Sequence, residues 1–486
     1  MSKRLPILRL LALALALTGT TFLVLSFVDH EGRAEAGGGA GARYKPTRAE
    51  PTARQRASAP APVTADVTLA ASAASAASAA SAASAASVRV PPSFLGFSTE
   101  YWTLPLWEPH RALLERALAL IHIPGDERQV LRIGGDSADH TFWDPRFRRM
   151  PAWAFRVGPS WVHFAASLVR RDRLRLILDL NLVTGSSPKA ASWARAARRD
   201  LPRRSIIGFE IGNEPDACVR RTAPAYPSIA KVLSENATAG LARTVIPSVR
   251  LAERSGLPFR LTEINSVTCG GVHGISDTFA TALWAPDALF ELMKAGVDGA
   301  NVHVRAEAVN AAFALKQSGF HARPLMYGLI LFTRTLGTGA ELVPLSLRTS
   351  PLVNLKAWGV RLRAGRLHLL LLDKGARPVT VRLALPGRGD ASVQRMLAPS
   401  VRAEVGVTLA GQRLDAAGRW AGHHETQRII PSRGAYAVRV PAMSAALVTL
   451  PAPRTQRCRA RRPPTPPPPA RRRRCLPRAS ARCSER

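Results

Sequence analysis

SIIGFEIGNEP, residues 205–215, is an apolar run that closes on a glycine, an amide and a carboxylate before Pro215. Its near-continuous apolarity fits a strand buried on both faces, the texture of a parallel sheet covered by helices. Proline cannot extend a sheet ladder, so it stops the strand and leaves Asn213 and Glu214 projecting from its C-terminal end. The same grammar recurs in FLGFSTEY (94–101), QVLRIGGD (129–136), LRLILDLNL (174–182), FRLTEIN (259–265) and GANVHVR (299–305), with helical stretches between them. These runs end in Glu100, Asp136, Asn181, Glu263 with Asn265, and His303. Polar groups gathered at C-terminal strand ends are where a (β/α)8 barrel keeps its chemistry.

The pattern predicts an α/β fold, a TIM-type (β/α)8 barrel over residues 91–340. One spacing disturbs it. Glu214 would end the fourth strand and Glu263 the seventh, yet only 48 residues lie between them, where three βα repeats need roughly 90. The interval holds one clear helix, so one or two βα units are expected to be missing. From residue 341 to 452 helical periodicity gives way to β-rich runs such as RLHLLLLDKG and PVTVRLALPG, broken by Gly, Pro and Asp. This predicts a C-terminal antiparallel β-sandwich domain.

The flanks read differently. Lys3 and Arg4 precede an apolar stretch from Leu10 to Val28, and Ala34-Glu35-Ala36 resembles a signal-peptidase site. Residues 1–28 are therefore expected to be a signal peptide or a membrane anchor, with the protein secreted or held at the outer face of the cytoplasmic membrane. Residues 29–90, with Ala-Ala-Ser repeats from Ala70 to Ser87, read as a disordered tether. Residues 453–486 read as a disordered Arg/Pro-rich tail.

The formal charge is +34, of which the ends carry about half and the body about +18. A basic body favours an acidic substrate or an anionic surface. No basic run in the body is interleaved with aromatics, so no specific nucleic-acid partner is expected. The membrane enters only through the N-terminal segment. Of five cysteines only Cys218 and Cys269 lie in the body, and no Cys/His spacing resembles a zinc site, so neither metal nor cofactor is expected.

Two strand-end carboxyls facing each other across a barrel mouth suit one reaction in particular. Hydrolysis of a glycosidic bond with retention needs one protonated carboxyl to release the leaving group and one ionised carboxyl to attack the anomeric carbon, about 5 Å apart. Glu214 and Glu263 are the candidates. The loop Ser266–Gly271 after Glu263 offers backbone N–H groups to an anion, with Thr268 and Gly270 within it. His303 is placed to line the same pocket. Tyr101 and Trp143 are placed either to stack on a sugar face or to fill the core.

LRIGGDSADHTFW (131–143), GFEIGNEPD (208–216), LTEINSVTCGG (261–271), SDTFATALWAPDALFELM (276–293) and DKGARPVTVRLALP (373–386) together resemble glycoside hydrolase family 79, the β-glucuronidase and heparanase-like group of clan A. The resemblance spans the folded body. It implies that Glu214 is the acid/base, that Glu263 is the nucleophile, and that Asn213 bonds the sugar's 2-hydroxyl. It also implies a carbohydrate partner, a uronic-acid glycan or glycoside, with its carboxylate held by the 266–271 loop. The resemblance further implies a disulfide between Cys218 and Cys269. Two departures stand out: Asp136 occupies the place of an asparagine and brings a third carboxylate that disfavours a uronate, and the stretch between the glutamates is short. The shortening favours an alternative, a catalytically impaired glycan-binding protein tethered to the envelope.

Overall fold

The computed structural model describes residues 63–69 and 87–452, apart from residues 145, 147–149, 215–225, 364 and 386–388. The expected N-terminal signal or anchor, the Ala-Ala-Ser repeats, the Arg/Pro tail and Cys218, with its expected disulfide to Cys269, lie outside the described residues. Among the described residues no helix is long and apolar enough to cross a membrane.

Six strands form one parallel sheet: β1 (Leu95–Glu100), β2 (Val130–Gly134), β3 (Arg175–Leu180), β4 (Ile206–Ile211), β5 (Arg260–Ile264) and β6 (Gly299–His303). A helix follows each: α1 (Arg111–Leu120), α2 (Pro159–Asp172), α3 (Ser187–Asp200), α4 (Ala239–Arg254), α5 (Phe279–Lys294) and α6 (Pro324–Thr335). The helices carry their apolar residues at helical spacing; α3 turns Ala190, Trp193, Ala196 and Ala197 inward behind a proline in its first turn. Strands β1, β2 and β6 are buried throughout, which is why their sequences show no alternation.

The strand order is β4-β3-β2-β1-β6-β5. Among the described residues the sheet is an incomplete barrel, two βα units short of eight, and its free edges are β4 and β5, the strands that lead to the two candidate glutamates. The missing neighbour shows in the burial of β4, where only Glu210 is buried and Ile211 is 54% exposed. Helix α4 packs against α5 beside β5, with Val245 and Val249 buried.

The C-terminal half forms two facing sheets. One, of eight strands, includes Leu355–Arg361, Leu367–Asp373, Ser444–Leu450 and Ala391–Leu397; the other, of four, runs Leu345–Thr349, Val63–Leu69, Val379–Ala384, Tyr436–Val440. Val67, Leu369, Leu371, Val381, Val438 and Val448 fill the space between them.

Here the structure corrects the expected tether. Val63–Leu69 is a strand inside the four-stranded sheet, antiparallel to Leu345–Thr349 and parallel to Val379–Ala384, and Val88–Arg89 pairs with Glu341–Val343 at the edge of the larger sheet. VTADVTL alternates: Ala65 and Val67 are buried while Thr64 and Asp66 face solvent. The sandwich is therefore discontinuous in sequence and contains one parallel pairing.

Barrel and sandwich share a buried ionic contact. Lys374 Nζ lies 2.8 Å from Asp287 Oδ2 with both side chains fully buried, and Trp358 Nε1 donates to Asp287 Oδ1 at 3.0 Å. A sandwich loop also caps α5, whose Phe279 and Ala280 N–H groups donate to the carbonyls of Ala403 and Val401, satisfying donors that a helix start leaves open.

Candidate active site

Arg132 stands mid-strand on β2, fully buried. A charge removed from water must be met on every side, and its guanidinium is. Nε donates to Glu210 of β4, Nη1 to Glu263 Oε2 of β5 at 2.6 Å, and Nη2 to Asn213 Oδ1 at 3.1 Å and to Asp179 Oδ2 of β3 at 3.3 Å. Burial opposes the charge, but Glu210, Glu263 and Asp179 outweigh it and raise the pKa. One side chain thus holds groups from both free edges of the sheet.

A second link needs no arginine. The Thr262 hydroxyl of β5 donates to Glu210 of β4. Adjacent residues of a strand ordinarily face opposite ways, yet Thr262 and Glu263 both reach inward. The register explains it: Leu261 pairs with Ala300 and Ile264 with Val302, so Thr262 and Glu263 together stand opposite the single Asn301. This β-bulge turns the carboxylate into the mouth.

Glu263 keeps 24% of its side chain exposed, enough for a ligand to reach. His303, at the end of β6, places Nδ1 3.5 Å from Glu263 Oε1 and Nε2 3.4 Å from Glu100 Oε1, with the Ser98 hydroxyl 3.1 Å from Nδ1. Burial disfavours the imidazolium, but Glu263 and Glu100 more than compensate, and the His303 pKa is raised. Burial likewise pushes Glu100 up, yet His303 and the Ser137 N–H, which donates at 2.8 Å, hold it below its ordinary value. Asp179 is pushed well above the usual carboxylate range, first by burial and then by Glu210.

At the end of β4, Glu214 is half-buried, with φ of +40°. That left-handed conformation is uncommon for a residue with a β-carbon, and such strain concentrates at working sites. Asn213 beside it is fixed at both ends of its amide: Oδ1 accepts from Arg132 and Nδ2 donates to Asp136 Oδ1 at 3.3 Å. Asp136 sits on the turn after β2; partial desolvation of its carboxyl by the surrounding site, then the charges of Glu100 and Glu263, raise its pKa.

The structure thus gathers Asn213, Asp136, Glu263 and His303 around Arg132, with Glu214 next to Asn213 in the chain. Tyr101 is not part of this group. It is 0% exposed, its ring packs 5.4 Å from Trp161 and 6.3 Å from Trp193, and its hydroxyl donates to the Asp179 carbonyl at 2.7 Å. It is a core residue, as is Trp143, stacked on Trp193 at 5.4 Å. The 266–271 loop is tied down from within: Ser266 N donates to Asn265 Oδ1, Gly271 N to the Thr268 carbonyl, and Asn310 Nδ2 to the Val267 carbonyl. Two of the amides expected to meet an anion are thereby spent, while Thr268 itself is exposed.

The sequence reading missed Arg132, Glu210, Thr262, Asp179 and Ser98 as site residues. The signal for Arg132 was present: a lone arginine inside an apolar strand has to find carboxylates, and the neighbouring strands supply them.

Comparison with known proteins places these features. Residues 347–447 match the family model for the glycosyl hydrolase family 79 C-terminal beta domain. The fold is similar to that of a 4-O-alpha-L-rhamnosyl-beta-D-glucuronidase from Fusarium oxysporum 12S, with a TM-score of 0.61 at 17% identity over 75% of this chain and 97% of that one. It is also similar to the alpha-L-arabinofuranosidase from Thermotoga maritima, with a TM-score of 0.57 at 12% identity over 80% and 99%, and to a GH51 arabinofuranosidase from Xanthomonas axonopodis pv. citri, at 0.53 and 13% over 80% and 100%. These likenesses are of fold. No curated protein sequence matches the chain.

Proposed function

From the premise that the chain belongs to glycoside hydrolase family 79, through its C-terminal β domain, we propose that it is a retaining glycosidase acting on β-linked glucuronic acid, exported from the cell. The observation that carries the reading is the hold of Arg132 on Glu263. A buried guanidinium bonded at 2.6 Å fixes the orientation of the carboxylate that a nucleophile must present to the anomeric carbon. It donates to Asn213 from the same side chain, so the two edges of the gap meet at one group.

In the first step Glu263 attacks the anomeric carbon while Glu214 gives its proton to the departing glycosidic oxygen. The result is a sugar bound covalently to Glu263. In the second step Glu214, now ionised, takes a proton from water, whose oxygen displaces Glu263 and restores the original anomeric configuration. Asn213 has two amide hydrogens; one is engaged by Asp136, and the other serves the sugar's 2-hydroxyl.

Purified protein should release the phenol from an aryl β-glucuronide, and Glu263→Gln should abolish that release. Activity that survives the substitution would exclude the mechanism. Binding of glucuronides without turnover by the wild type would instead favour the glycan-binding alternative.

A further inference from the structure

The mouth holds carboxylates from Glu100, Asp136 and Glu263. A uronate entering it adds a further negative charge, and like charges so placed repel strongly in a partly desolvated site. The cations nearest the centre are committed. Arg132 is sealed from solvent and bonded through all three of its nitrogens, and His303 is buried between Glu100 and Glu263.

Arg305 is placed differently. It lies two residues beyond His303, half-exposed, and Val304 before it is anchored by an N–H bond to the Ser98 carbonyl at 2.8 Å. Its Nη2 stands 2.8 Å from the position that a β-carbon on Gly270 would occupy. The guanidinium therefore lies directly against the backbone of the loop that follows Glu263, at a glycine whose φ of +81° side chains rarely adopt. It is also close enough to Asp136 for its charge to favour that carboxylate's ionised form. Among the described residues no carboxylate lies within ion-pair distance of Arg305.

We propose that Arg305 is the residue that selects a carboxylate-bearing sugar here: its guanidinium, seated on Gly270, pairs with the substrate's carboxylate and offsets the extra charge that Asp136 brings to the mouth. The proposal rests on the glycosidase reading and names the residue that gives it its substrate class. An arginine fork matches a carboxylate with two parallel hydrogen bonds, which a neutral hydroxymethyl group cannot return. The cost of losing one partner of such a pair falls on uronates alone.

Binding tests this apart from turnover. With Glu263→Gln as the parent, 4-nitrophenyl β-D-glucuronide and 4-nitrophenyl β-D-glucoside are titrated calorimetrically into the parent and into versions that also carry Arg305→Gln, Arg305→Lys or Asp136→Asn. Arg305→Gln should weaken glucuronide binding about 100-fold and leave glucoside binding within about twofold. Arg305→Lys, which keeps the charge and loses the fork, should weaken glucuronide binding about 10-fold and serves as the readout if the glutamine variant unfolds. Asp136→Asn should tighten glucuronide binding. Equal losses on both ligands, no loss on the glucuronide, or a parent that does not bind the glucuronide would each overturn the proposal. Hydrolysis of the aryl glucuronide by the wild type reports separately on the underlying reading.

Discussion

Thr262 donates its hydroxyl to Glu210 across the gap between β5 and β4, the two edge strands of the parallel sheet among the described residues. The backbone ladder of the barrel stops at β4 on one side and β5 on the other, and side chains complete the ring. Arg132 supplies the second bridge, bonding Glu210 and Asn213 on one edge and Glu263 on the other. The edge strands need such links, because their outer hydrogen-bonding groups have no neighbouring strand to hold them in place.

Thr262→Val removes the hydroxyl and leaves a buried carboxylate oxygen unmet. It is expected to lower stability by about 2 kcal/mol and to reduce kcat more than it raises KM, since Glu263 is the next residue on the bulged strand. Thermal melting and steady-state kinetics on an aryl β-glucuronide check both parts. An unchanged kcat would mean that the link is structural only.

Glu214→Gln should lower kcat by about 10²- to 10⁴-fold on substrates with poor leaving groups, the usual range for loss of a general acid. On a nitrophenyl glucuronide, whose phenolate leaves without a proton, the first step should be nearly spared. A pre-steady-state burst followed by slow turnover is the expected signature.

Lys374→Met strands the Asp287 carboxylate in the interface between barrel and sandwich, where both partners are fully buried. Breaking such a pair from one side costs about 3–5 kcal/mol. Adding Asp287→Leu should recover much of it, less the hydrogen bond from Trp358. Denaturant unfolding of the two variants measures the difference.

Asp373, buried next to that lysine, has its pKa pushed up to about 7, chiefly by desolvation. Its folded form holds a proton that the unfolded chain releases near pH 4. The stability it contributes is present below about pH 4 and is lost as pH rises through about 7. Asp373→Asn keeps an acceptor for the Gly375 N–H, which now donates to Oδ1 at 2.9 Å, and removes the titration. The variant should melt higher than wild type at pH 8 and show little advantage at pH 4.5. A constant difference between the two pH values would contradict the assignment.

Much of the site was legible because strand ends are: an apolar run that stops on Asn213-Glu214 or on Glu263 states where the carboxylates emerge. The deficit between them was legible as arithmetic on repeat length. What escaped depends on neighbours that no single stretch contains. The bulge that turns both Thr262 and Glu263 inward is a property of β5 read against β6. Tyr101 has the composition of a sugar platform and is claimed instead by Trp161 and Trp193, which arrive on α2 and α3. Val63–Leu69 was hidden by the low-complexity sequence around it, although its alternation of small apolar and polar residues is that of a half-buried strand.

That strand sets the mechanics of attachment. Whatever precedes residue 63 reaches the protein through a segment hydrogen-bonded along both of its sides, to Leu345–Thr349 and to Val379–Ala384. Tension applied from the N-terminal end is borne by the sandwich, in shear across two rows of bonds at once. The mouth is formed by β4 and β5, strands of a different sheet, so tension entering at residue 63 meets the sandwich before it meets the pocket.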